Sequence, residues 1–152
     1  IGIDRYLLAE RREHLDFVST RSAIRTMAAA WPMADTILIE DKANGTAIIN
    51  DLRNTISGII AEQVDGSKEA RAQSVTPECE AGNVVLPSST IAPWVDEYLD
   101  ELCQFPRGAY DDRVDCTSQA LKRLKKYVVS LDLPPPESFV KHSTWNTDWG
   151  MR

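Results

Sequence analysis

Ile37-Leu38-Ile39-Glu40-Asp41-Lys42-Ala43-Asn44-Gly45 is the stretch on which the fold turns. Its three aliphatic residues in a row predict a short buried strand. The acids that close the strand are carried out of the core to the rim of a sheet. Asn44-Gly45 then punctuates the chain, and a helical pattern starts straight after it, with Ile48, Ile49, Leu52 and Ile56 along one face. A strand that leads into a helix is the repeating unit of α/β proteins, whose ligands gather where strands end. Glu40 and Asp41 are candidate site residues on that ground. A strand can also end on any polar residue, so a solvated rim accounts for them too.

Upstream, Arg5 to Arg11 reads as a strand. Ile24, Met27, Ala28 and Trp31 recur at helical spacing, with Ser19 or Thr20 placed to cap the helix and Pro32 to close it. Downstream, Gly58 to Val64 reads as a second core strand, and Ser67 opens a short helix carrying Lys68 and Arg71. Gly82 to Pro87 is a turn and a brief strand. Pro93 suits the first position of a helix whose apolar residues are Trp94, Val95, Tyr98, Leu99, Leu102 and Phe105. Pro106-Arg107-Gly108 breaks that helix, and a last one runs from about Asp111 with Val114, Leu121, Leu124 and Val128 on one side. The order β-α-β-α-β-α-β-α-α predicts an α/β protein with a largely parallel sheet. Residues 1–130 form the expected domain. Residues 131–152, with Leu133-Pro134-Pro135-Pro136 and two tryptophans, Trp145 and Trp149, are the expected extended tail.

With 152 residues, 43% hydrophobic and 26% charged, the chain has the composition of an ordinary globular domain with a real core. No apolar run approaches the roughly 20 residues needed to cross a bilayer, so no membrane role is expected. The start, Ile1-Gly2-Ile3-Asp4-Arg5, has neither the basic nor the apolar region of a signal peptide, and it reads as though cut from something longer. Cys79, Cys103 and Cys116 form no metal-ligand pair and no disulfide framework, which suits a reducing cytoplasm; each reads most simply as a small buried apolar residue. With only His14 and His142 besides, a zinc site and a histidine-based triad are both poorly supported. Any catalytic metal would be a hard cation on carboxylates, Mg²⁺ or Mn²⁺. The net charge of −6 argues against a general nucleic-acid coat but leaves room for one basic rim beside an acidic centre.

Asp111, Asp112 and Asp115 form the second acidic cluster, at the start of the last helix. Residues three and four apart share a helical face. Acids in a first turn oppose the helix dipole and cap free N–H groups, which accounts for one or two of them. Three within five residues repel unless a cation or protons intervene. A strand-end acid brought to a helix-start acid describes a two-metal phosphodiester site, with ions about 4 Å apart serving the attacking and the leaving oxygen. Lys68 and Arg71, three apart, could contact phosphate or be solvated surface cations. Trp94, Tyr98 and Leu102 suit a core better than a stacking platform.

The motif order Ile39-Glu40-Asp41-Lys42-Ala43-Asn44-Gly45, Gly66-Ser67-Lys68-Glu69-Ala70-Arg71, Glu80-Ala81-Gly82-Asn83-Val84-Val85-Leu86-Pro87, Phe105-Pro106-Arg107-Gly108 and Asp111-Asp112-Arg113-Val114-Asp115 resembles the C-terminal nuclease domain of tailed-phage terminase large subunits, from about Tyr6 to Leu124. The resemblance implies an RNase H-like mixed sheet flanked by helices. It also implies a Mg²⁺- or Mn²⁺-dependent endonuclease that cuts concatemeric double-stranded DNA during head packaging, with the terminase small subunit and the portal or procapsid as partners, in the cytoplasm of a bacterial host. By position, Glu40 matches the family's strand-end acid, with Asp41 as the neighbouring alternative. Asp111 and Asp112 match its paired aspartates, and the resemblance gives Asp115 an assisting position in holding metal. The family's first catalytic aspartate lies on the first, central strand, and this chain begins after that strand would have ended; Asp4 is in the wrong context to replace it. No phosphate loop of a packaging ATPase occurs. Two readings follow: an endonuclease domain, or a truncated, non-catalytic prophage remnant that binds DNA or a partner. The endonuclease reading expects folding to set Glu40 beside Asp111 or Asp112, close enough to share a cation.

Overall fold

The computed structural model describes residues 3–125 together with the backbone of 139–141. The elements run β1 (Arg5–Tyr6), α1 (Phe17–Ala30), β2 (Ile37–Glu40), α2 (Asn44–Leu52), β3 (Ile59–Glu62), α3 (Lys68–Glu80), β4 (Val84–Pro87), α4 (Trp94–Gln104), α5 (Asp112–Leu124) and β5 (Phe139–Lys141). They group into two compact units, one of Ile1–Glu10 with Gly66–Arg152 and one of Arg11–Asp65.

In the Arg11–Asp65 unit, β2 and β3 pair in parallel, and each residue from Ile37 to Glu40 lies opposite its counterpart from Ile59 to Glu62. Parallel neighbours need a crossover, and α2 supplies it, packing on both strands. Its buried residues are Ile48, Ile49 and Leu52, as the helical spacing predicts, while Ile56 lies beyond the helix. Two glycines make the tight junctions. A Cβ on Gly45 would lie 2.0 Å from the carbonyl oxygen of Glu40, and one on Gly58, where φ is +77°, would lie 2.2 Å from that of Asp35. Asp16 rather than Ser19 or Thr20 caps α1: its carboxylate accepts from the Ser19 N–H at 2.7 Å, so the helix starts a turn earlier than expected. Arg21 and Arg25 tie α1 to Asp51 of α2 at 3.0 and 3.7 Å.

In the other unit, β4 is the middle of a three-stranded sheet, parallel to β1 and antiparallel to β5. The strand is paired along both edges, and its residues Val84, Val85 and Leu86 are all buried. Leu86 belongs to a core with Ala72, Val95, Tyr98, Leu102, Phe105 and Val114; Val84 belongs to a second cluster with Val75, Cys79 and Leu121. These residues seat α3 and α4 against α5. Tyr98 is core, as expected, with its hydroxyl 2.6 Å from the Thr117 hydroxyl and the Trp94 ring edge-on to its own.

Several expectations need correction. The first strand is two residues long, not seven: Arg5 and Tyr6 stand in register with Val84 and Val85, and the pairing closes with the Leu7 N–H on the Val85 carbonyl at 3.0 Å. Two of the three strand pairings are parallel, as expected, and the mixed sheet that the resemblance implies arises where β5 runs against β4. That strand falls inside the expected tail, of which 131–138 and 142–152, with Trp145 and Trp149, lie outside the described residues, as does Val128. Only Cys79 is buried; Cys103 and Cys116 are exposed because they sit on outer faces of α4 and α5. Leu124 is 43% exposed at the end of α5. Among the described residues no helix is long and apolar enough to cross a membrane.

Candidate functional site

Glu40 ends β2, and Gly45 lets α2 begin directly against its carbonyl. Register places Glu62, the last residue of β3, beside it. Residues opposite one another on neighbouring strands project to the same face, so the strand ends carry a pair of glutamates there. The Lys42 ammonium lies 3.7 Å from the Glu40 carboxylate. Asp41 is held differently: one carboxylate oxygen accepts from the Thr46 hydroxyl at 2.6 Å, the other from the Gln63 side-chain amide at 2.9 Å. One oxygen thus ties Asp41 to the start of α2 and the other to the residue after β3.

In the other unit the start of α5 meets the start of α3. The Ser67 hydroxyl accepts from the Ala70 N–H at 3.2 Å, capping α3 and placing Lys68 and Arg71 in its first turn. Both turn toward α5. The Lys68 ammonium bridges Asp111 at 2.7 Å and Asp115 at 2.8 Å. Arg71 pairs with the second oxygen of Asp115 and donates to the Gly66 carbonyl at 3.0 Å. Asp112 is exposed and stands outside this set. Desolvation disfavours the Lys68 ammonium, but the hydrogen bonds to Asp111 and Asp115 outweigh it and raise its pKa to about 12. Desolvation likewise works against the Asp115 carboxylate, and its bonds to Lys68 and Arg71 overcome that and hold its pKa below the usual range.

The model of the terminase RNaseH-like domain family matches residues 3–124. The chain belongs to that family. Comparison with curated proteins and with solved structures returned no match. Membership makes the fold RNase H-like and the chain a domain of the phage terminase nuclease type.

Divalent cations are the general cofactors of RNase H-like nucleases. Asp111 and Asp115 already converge on a single positive group, the Lys68 ammonium, through hard oxygen atoms. Among the described residues no three acidic, histidine or cysteine side chains come together as a ready-made cage. The terminase chain therefore presents two carboxylates paired with Lys68 and Arg71 where α3 meets α5 in one unit, and a carboxylate pair at the ends of β2 and β3 in the other. Glu62, Glu10, Glu101 and Arg113 escaped the sequence reading. Glu62 carried a signal, since Ile59-Ile60-Ala61-Glu62 has the phase of Ile37-Leu38-Ile39-Glu40. Glu101 carried another, an acid inside the apolar stripe of Tyr98 and Leu102.

Proposed function

We propose that this chain is the divalent-metal-dependent DNA endonuclease domain of a phage or prophage terminase large subunit, cutting concatemeric double-stranded DNA during packaging in the host cytoplasm. The small subunit and the portal or procapsid are its partners in that process. The observation that carries the reading is the Lys68 ammonium seated between Asp111 and Asp115, in a chain matching the terminase RNaseH-like model. Mg²⁺ or Mn²⁺, if held by carboxylates, would supply activation of the attacking water and charge stabilisation at the leaving oxygen. In this reading Glu40, Asp111 and Asp112 are the catalytic acids, and Asp41 and Asp115 assist in holding metal. Lys68 and Arg71, when released from their aspartates, meet phosphate. The test is Mn²⁺-dependent nicking of plasmid DNA, by the chain as it stands and by a form extended with the aspartate-bearing strand that the resemblance implies. Loss of nicking in Glu40→Ala and in the double Asp111→Ala, Asp112→Ala variant is expected; nicking that survives both removes the assignment.

One observation favours a second reading, a non-catalytic module that docks on DNA or a packaging partner. Asp111 and Asp115 are already paired with cations of α3, and the described residues hold no cluster of three ligands. Titration with Mg²⁺ and Mn²⁺ separates the two: no uptake at millimolar metal supports the module.

A further inference from the structure

An acid that opens a helix ordinarily caps it, and Asp111 does not. It occupies the N-cap position of α5, yet its carboxylate accepts no hydrogen bond from the helix N–H groups. It accepts from Lys68 instead. The donor such a carboxylate normally takes is the N–H two or three residues on, and the first of these belongs to Arg113. That N–H already lies 2.8 Å from a carboxylate oxygen of Glu101, which reaches across from α4.

The substitution is built into the core of this unit. The Glu101 and Arg113 side chains are 5% and 7% exposed. A carboxylate that deep is costly without partners, and Glu101 has the Arg113 N–H on one oxygen and the Arg113 guanidinium at 3.3 Å on the other. The same guanidinium is clasped by both oxygens of Glu10, at 2.6 and 3.3 Å, and donates to the Glu97 carbonyl at 3.0 Å. The first turn of α5 is thus tied to α4 and to the segment after β1 through one residue.

We infer that Glu101 is a positioning residue: it caps α5 in place of Asp111, so that the Asp111 carboxylate is left to face the cation it shares with Asp115. This rests on the metal reading above. A carboxylate occupied by a helix N–H cannot offer the same lone pairs to a cation, so the two uses of Asp111 compete, and Glu101 settles the competition.

Two measurements on the whole chain test it. The first is Mn²⁺ affinity by calorimetry, at a temperature where each variant is shown to be folded. Glu101→Ala removes the cap and weakens Mn²⁺ binding about tenfold or more, the range seen when a residue orienting a metal ligand is lost. Glu101→Gln keeps an acceptor for the Arg113 N–H and leaves affinity within about twofold. An alanine variant that is folded and binds Mn²⁺ like the parent overturns the inference. Should alanine not fold, the glutamine variant decides alone: tenfold weaker binding in a folded glutamine protein overturns it. The second is a double-mutant cycle on urea unfolding. Asp111→Ala lowers the midpoint further in the Glu101→Ala background than in the parent, because there Asp111 has become the cap; additivity overturns the inference. If Asp111→Ala leaves the parent's Mn²⁺ uptake unchanged, the metal reading fails, and the cycle still decides whether Glu101 does the capping.

Discussion

Lys68→Met tests whether the α3–α5 ion-pair cluster and a metal centre are alternative states of one seat. The Lys68 ammonium touches Asp111 at 2.7 Å and Asp115 at 2.8 Å, so a cation bound by those two oxygens must first displace it. The Lys68 and Asp111 side chains are 39% and 42% exposed, which puts the contacts in the range of surface pairs, about 0.2–1 kcal/mol each. Removing both lowers the competition by about 0.4–2 kcal/mol, and since about 1.4 kcal/mol is a factor of ten, apparent Mn²⁺ affinity rises about 2- to 30-fold. Without metal the same change lowers stability by about 1 kcal/mol, because Asp111 and Asp115 then repel each other across the seat. Added Mn²⁺ therefore raises the Tm of the variant more than that of the parent. Lys122→Met is the control: it alters net charge equally from the exposed last turn of α5. Calorimetric titration of the three proteins reads the effect. A Lys68→Met protein that binds Mn²⁺ no more tightly than Lys122→Met refutes the reasoning.

Three further outcomes follow from the same geometry. The folded-state pKa of Asp115 is lowered, so its contribution to stability is present above its unfolded value, near 4, and is lost as pH falls through that range; Lys68, raised to about 12, contributes below about pH 10 and loses its share only as pH rises through 12. Urea midpoints of the parent and Asp115→Asn should differ by a constant amount from pH 5 to 9 and converge toward pH 3. Gly45→Ala should lose about 2–3 kcal/mol by urea unfolding, because its Cβ would sit 2.0 Å from the Glu40 carbonyl oxygen, and either the strand end or the first turn of α2 must move. Ala43→Gly should gain about 1 kcal/mol in the same assay: Ala43 stands at φ 49°, where relief of about 1–3 kcal/mol of strain outweighs the extra freedom glycine has in the unfolded chain.

Local patterns were the legible part of this fold. Ile37-Leu38-Ile39 declared a strand, Ile48, Ile49 and Leu52 a helix face, and Ser67 a cap, because each depends on residues within a turn or two of one another. Non-local pairings were not. Lys68 and Arg71 could be placed on one face of α3, but nothing in their spacing says that this face meets Asp111 and Asp115, more than forty residues away. The sequence left them open as phosphate contacts or solvated surface cations, and in the fold they are engaged by carboxylates. The in-register pairing that puts Glu62 beside Glu40 is equally non-local, as is the β4–β5 pairing that draws a strand out of a proline-rich segment. Asp16 was missed for a local reason: Ser19 and Thr20 also suit an N-cap, and the apolar spacing starts too late in α1 to choose between them.

The cluster at the start of α5 also shows why two cations three residues apart are not equivalent. Three aspartates within five residues need positive charge near them, and α3 supplies two such groups from opposite depths. Arg71 is 11% exposed, its planar fork divided between Asp115 and the Gly66 carbonyl, a geometry that holds two fixed acceptors and gives them up reluctantly. Lys68 is a point charge on a flexible stem, more than a third exposed, and shared by Asp111 and Asp115. Releasing it breaks one contact to the more exposed Asp111 and one to the partly buried Asp115 and returns a strongly hydrated ammonium to water; releasing Arg71 strips the same partly buried carboxylate of its inner partner. On the proposed metal reading, exchange with an incoming cation would begin at Lys68, and Arg71 would be the later of the two to leave Asp115. That order is why the lysine substitution should act chiefly on metal affinity.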